Sequence, residues 1–151
     1  MKLKHDVQRQ YFYWLLCPYT LFIFRVGAQL TQKYYAFGFL PDFESWQSGA
    51  LSYQWLLLSQ IVIIAALTRV MLNFRKGRVR ANYGMGNLLI VSGAFYFGLM
   101  VFRLIAGLTF ASNHPWLGAR IPAIFHIALA SFVLLVGHYH YRFGRRGNAH
   151  E

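Results

Sequence analysis

Apolar positions along the chain fall into long blocks, separated by short polar and basic stretches. Four segments, about 11–30, 53–72, 88–110 and 121–141, are mainly apolar. A helix needs about 20 such residues to cross the hydrocarbon core of a bilayer. Lipid offers no partner to backbone N–H and C=O groups, so each segment is predicted to be a helix rather than a strand. Pro122 suits the first turn of the fourth helix, where its missing N–H costs nothing. Pro18 lies inside the first segment and is expected to kink it or to mark its start. Tyr11, Tyr13, Trp14, Trp46, Tyr53, Trp55, Trp116, Tyr139 and Tyr141 cluster near the proposed ends, where amphipathic rings form interfacial belts. The predicted fold is an all-α integral membrane protein: one domain over residues 1–151, with four transmembrane helices in a compact bundle.

Composition supports this reading. The chain is 57% hydrophobic and only 13% charged, about half the charged share of a soluble domain. A formal charge of +11 raises the question of nucleic acid. However, the basic residues lie in blocks between apolar segments rather than along one amphipathic face, so no nucleic-acid partner is expected. Their distribution instead sets an orientation. Lys2, Lys4, Arg9, Arg69, Arg75, Lys76, Arg78, Arg80, Arg142, Arg145 and Arg146 flank one side, while Lys33 and Arg120 flank the other. Short loops rich in Lys and Arg stay cytoplasmic, so both termini and the middle loop are expected inside. That basic loop is also expected to meet anionic lipid headgroups. A leader cleaved after "VGA", before Gln29, is disfavoured by Arg25. Cys17 is the single cysteine, so neither an intrachain disulfide nor a cysteine metal cage is expected.

The halves echo each other. "FRVGAQL" at 24–30 is similar to "FRLIAGL" at 102–108, an offset of 78, and "NFRKG" after the second segment is similar to "RFGRRG" after the fourth. Either the chain is two tandem helical hairpins in parallel, or two apolar helices look alike by chance.

Arg25 and Arg103 stand inside apolar segments. His126 on the fourth and Ser59 and Gln60 on the second lie at a similar remove from the same side of the bilayer. A charge at the centre of a membrane helix costs at least about 2.5–3.5 kcal/mol, and such residues face the bundle interior or reach water. Three fates are open to the arginines. They can snorkel to lipid phosphate, pair with Asp42 or Glu44 folding back from the long loop, or line an outward-facing pocket. In the third, Arg25, Gln60, Arg103 and His126 bind an anionic or carbonyl-bearing ligand, with guanidinium as a fork-shaped donor. The aromatic loop at 31–52 is expected at headgroup level, as an interfacial segment or as a lid over the polar layer. Ala94 and Gly98, four apart, are expected to let the third helix approach a neighbour closely.

Histidines offer another chemistry. His126 and His140 are fourteen apart, within 40° of one helical face, a spacing that resembles the paired haem ligands of b-type cytochromes. Haem b then needs a second axial ligand, from His114 in the outer loop or from a second copy. "SNHPW" reads as a turn, and "GRVRANYGMG" lacks a phosphate-cradling pattern.

The length, the four spans and "FRVGAQL" resemble the small DoxX-like membrane proteins of bacteria. The resemblance lies mostly in the first segment. It implies a compact four-helix bundle and assigns no site. The leading functional expectation is a small bacterial inner-membrane protein that is not itself catalytic. It is read as an accessory subunit beside other membrane subunits or itself, or as a binder of a lipid or quinone-like ligand, with no cofactor of its own. The alternatives are a haem b redox subunit and a small transporter working as an oligomer.

Overall fold

The computed structural model describes residues 2–35, 37–47, 52–114 and 116–147. They form α1 (Lys2–Tyr34), a short 3-10 helix (Phe43–Trp46), α2 (Tyr53–Arg75), α3 (Tyr83–Leu108) and α4 (Arg120–Gly147). No strand occurs among the described residues. Helices α2, α3 and α4 are long and apolar enough to cross a membrane; α1 is not among them. It is diluted by Gln8, Arg9, Gln10, Arg25, Gln29 and Gln32. Large apolar side chains on the three spanning candidates stand exposed, among them Phe95, Leu88, Ile61 and Val62. A water-soluble surface rarely carries so continuous an apolar face.

The first helix departs most from expectation. It is 33 residues long, about 50 Å at 1.5 Å per residue, and extends beyond 11–30 at both ends. Pro18 neither starts nor ends it. Its buried positions are Gln8, Tyr11, Leu15, Pro18, Phe22, Arg25, Gln29 and Gln32, with Ala28 beside them. Those eight alternate by three and four, the 3.5-residue period of a helix-packing seam. The seam is apolar in its middle and polar at both ends.

Helices pack in the spatial order α2, α1, α4, α3. Among the described residues, no backbone contact joins α2 to α3, so the bundle is open on that side. The closest pair is α3 with α4, and mostly small residues set it. On α3, Gly86, Gly93, Met100 and Gly107 are buried, seven apart; on α4, so are Ala123, Ala130, Gly137 and Gly144. A Cβ built at Gly86 would fall on the backbone of Tyr141, and one at Gly144 on that of Tyr83. One at Gly137 would lie 3.0 Å from the backbone N of Ile90. In lipid, helices associate largely by such van der Waals packing. The expected pair does not mediate it: Ala94 is exposed, and a Cβ on Gly98 would meet nothing.

At the end that carries the basic residues, Tyr11 (α1), Phe74 (α2), Tyr139 and Phe143 (α4) form an aromatic core. Phe74 and Tyr139 meet edge-on at 4.9 Å between centroids, bridging α2 to α4. Below them the Gln8 amide donates to Val79 O (2.9 Å) and to the Tyr139 hydroxyl (2.7 Å), and accepts from Val79 N (3.2 Å). The α2–α3 connection is thereby fastened to α1. Asn82 then caps α3, its Oδ1 accepting from Met85 N at 2.9 Å.

Candidate functional site

At the opposite end, polar side chains run across the bundle in the order in which the helices pack. Gln60 of α2 donates to Gln29 Oε1 of α1 at 3.1 Å. One turn before Gln29, Arg25 donates from Nη2 to the carbonyl of Trp46 at 3.1 Å. Its guanidinium carbon lies 6.0 Å from the centroid of the Phe125 ring on α4. His126, next in sequence, pairs through Nδ1 with the Tyr96 hydroxyl of α3 at 2.6 Å. On α3, Arg103 donates from Nε and Nη2 to the carbonyl of Trp116, at 3.0 and 2.8 Å. Arg25, Gln29, Gln60 and Arg103 are each at most 5% exposed.

The four residues singled out in the sequence, Arg25, Gln60, Arg103 and His126, thus sit in one row. Both arginines are buried, and neither meets Asp42 or Glu44, whose side chains are exposed. Backbone carbonyls take the place of carboxylates, and among the described residues no ion pair binds the row. The long loop supplies one of these carbonyls. Its 3-10 helix tucks Trp46 into the bundle, 3% exposed, with Nε1 donating to Pro41 O at 2.9 Å. The Trp46 ring stacks on Phe125 at 6.2 Å. Trp46 was expected among the interfacial aromatics; the structure makes it the roof over Arg25. Tyr34, Tyr35, Phe37 and Phe39 remain exposed.

The arginines differ in how fully they are used. Arg103 has two nitrogens on one oxygen and its guanidinium 4.2 Å from the Trp116 ring. In contrast, Arg25 Nε and Gln29 Nε2 are buried without a hydrogen-bond partner, as is the Tyr53 hydroxyl. Two neighbouring donors of α1 therefore face the interior unsatisfied. An unpaired buried donor costs about 1–3 kcal/mol, more when charged.

Sequence reasoning missed Gln29, Tyr96 and the two tryptophan carbonyls. Gln29 carried a signal, since it is four residues from Arg25 and on the same face. Tyr96, seven before Arg103, carried the same one.

His126 and His140 do not meet. His126 and His140 are separated by fourteen residues of one helix, about 21 Å along its axis. His140 Nδ1 accepts from Asn82 N at 3.2 Å near the basic end. His114 lies in the α3–α4 turn, its Nδ1 accepting from Trp116 N and Leu117 N, both at 3.2 Å. His138 pairs with the Tyr11 hydroxyl at 2.8 Å. No group of three metal-ligating side chains occurs among the described residues.

These features define a helical bundle with three helices able to span a membrane and a buried polar row near one end. Compared with known proteins, the chain matches no family model, no curated protein and no solved structure.

Proposed function

We propose that the protein is a four-span bacterial inner-membrane protein, both termini cytoplasmic, that binds a carbonyl-bearing or anionic ligand of lipid or quinone type. The ligand's oxygen sits against Arg25 Nε and Gln29 Nε2, beneath Trp46. The protein is an accessory subunit or carrier rather than a catalyst. One observation carries this reading: two adjacent donors on α1 are buried and unpaired, and both require an acceptor. Guanidinium suits an anionic or strongly polarised oxygen, and the amide adds direction. Aromatic neighbours Trp46 and Phe125 offer flat faces to a ring or an acyl chain. The orientation is supported by the eleven basic residues that flank one side against two on the other. The first helix crosses as the fourth span because buried polar residues line its seam and its other face between Tyr13 and Leu30 is mainly apolar, with Trp14, Leu21 and Phe24 exposed.

The test is extraction. Protein purified from native membranes in mild detergent is extracted with organic solvent and analysed by mass spectrometry. A stoichiometric quinone or lipid should be present, lost in Arg25→Gln and Gln29→Leu, and kept in Arg103→Lys. Retention of the same molecule in all three variants, or its absence from the wild type, removes the site. Reporter fusions at residues 44 and 113 against 78 test the orientation, which fails if position 78 reports the outer side.

A further inference from the structure

The basic end holds a cavity that the polar row does not explain. It has a volume of about 340 Å³ and is lined by His5, Arg9, Phe12 and Tyr13 of α1 and by Arg75, the last residue of α2. The four residues of α1 recur at helical spacing, so one face of that helix makes one wall. Arg75 forms the other wall, and directly after it the chain closes in a built turn. Gly77 stands in the left-handed region at φ 67°, and Arg78 N bonds back to Asn73 O at 3.0 Å and Gly77 N to Phe74 O at 3.1 Å. This is the Schellman closure of a helix end, for which glycine is favoured. A Cβ there would also lie 2.7 Å from Cδ2 of the His5 side chain, which would have to shift. The turn thus packs beside the His5 ring and ties up carbonyls at the end of α2.

The charge at the cavity is one-sided. Arg9 and Arg75 are exposed, and among the described residues neither has a hydrogen-bond or ion-pair partner. Lys76 follows Arg75 directly. Asp6, the nearest acid in sequence, is exposed and does not line the space. Phe12 and Tyr13 mark the transition from basic end to apolar body, the depth at which aromatic rings meet lipid glycerol and upper acyl carbons. Two guanidinium groups with an imidazole above and two rings below match a phosphate ester with an apolar neighbour.

We propose that this cavity binds a phosphate group, either the phosphodiester of an anionic phospholipid or a soluble phosphate. The site differs from diffuse attraction to the basic loop, because Arg78 and Arg80 do not line it.

The experiment uses the full chain in nanodiscs. One arm contains phosphatidylcholine with one-fifth phosphatidylglycerol; the other contains phosphatidylcholine alone, titrated with inorganic phosphate. Native mass spectrometry counts retained lipid, and 31P NMR follows the soluble ion. A single phosphatidylglycerol should be retained by wild type. Its retention should fall roughly 30-fold in Arg9→Gln/Arg75→Gln, at about 1 kcal/mol per surface cation, and stay unchanged in Arg78→Gln/Arg80→Gln. Binding in the second arm, with the same dependence on Arg9 and Arg75, assigns the site to a soluble phosphate. Equal retention in both double variants, equal retention of phosphatidylcholine, or no binding in either arm overturns the proposal. The single variants Arg9→Gln and Arg75→Gln give the same comparison if the double variant fails to fold.

Discussion

Arg103 grips the carbonyl oxygen of Trp116 with two nitrogens, at 3.0 and 2.8 Å, and stacks on the ring of the same residue. Arg25 repeats half of this arrangement with Trp46, through Nη2 alone. The likeness of "FRVGAQL" to "FRLIAGL" thus extends to bonding, since each arginine holds a tryptophan of the loop that follows its helix. The difference in saturation separates their roles, one closing the α3–α4 turn and one keeping a donor free.

Arg103→Lys should therefore destabilise the protein more than Arg25→Lys. An ammonium cannot reproduce the planar fork. The loss of a charge-assisted bond at this part-buried carbonyl costs about 1.5–3 kcal/mol. Chemical unfolding in detergent micelles, followed by tryptophan fluorescence, measures both. Equal losses would mean that the second nitrogen of Arg103 contributes nothing.

Glycines of α3 divide into two kinds. Gly86→Ala places a methyl group on the Tyr141 backbone and forces α3 from α4; overpacking of this kind costs about 1–3 kcal/mol. Gly98→Ala meets open space and should stabilise by up to about 1 kcal/mol through helix propensity. Unfolding titrations of both variants should move in opposite directions. Movement in the same direction would contradict the observed face of α3.

How much of this was legible follows from the same residues. Helices α2, α3 and α4 were readable because lipid demands long apolar runs. The inward placement of Arg25, Gln60, Arg103 and His126 was readable because a polar group within an apolar segment is expected to turn inward. The helix order was not, because lipid-facing and protein-facing positions are equally apolar, so polarity does not reveal which face packs. Mostly small residues seven apart, Gly86, Gly93 and Gly107 on α3 and Ala123 to Gly144 on α4, did carry that information, whereas Ala94 and Gly98 lie on an exposed face. The extension of α1 to Lys2 escaped an apolar criterion because its seam ends in glutamines. The burial of Trp46 depends on a loop whose path no periodicity describes.

Gln29 and Gln60 form a pair whose members fail separately. Gln60→Leu removes the donor to Gln29 Oε1 and leaves a second orphan on Gln29; Gln29→Leu strands Gln60. Each should cost about 1–3 kcal/mol. The double Leu variant should cost clearly less than the sum, since no buried polar atom of the pair remains. A double-mutant cycle by unfolding gives the coupling. Strict additivity would show that the two amides do not bond.

Gln8 makes the most far-reaching prediction about stability. It is fully buried, and its amide meets both backbone atoms of Val79 and the Tyr139 hydroxyl. Two of its bonds tie the α2–α3 connection to α1, and all three depend on one side chain. Gln8→Leu is close in volume, so the loss is mainly polar, about 0.5–1.5 kcal/mol for each net bond. The variant should release the connection before it unfolds the helices, because the aromatic core of Tyr11, Phe74 and Tyr139 stays in place. Hydrogen exchange at Val79 should be slow in wild type, fast in Gln8→Leu, and still slow in Tyr139→Phe, which removes a different partner of the same amide. Slow exchange at Val79 in Gln8→Leu would show that the connection is held by its own backbone and that the buried glutamine is incidental to it.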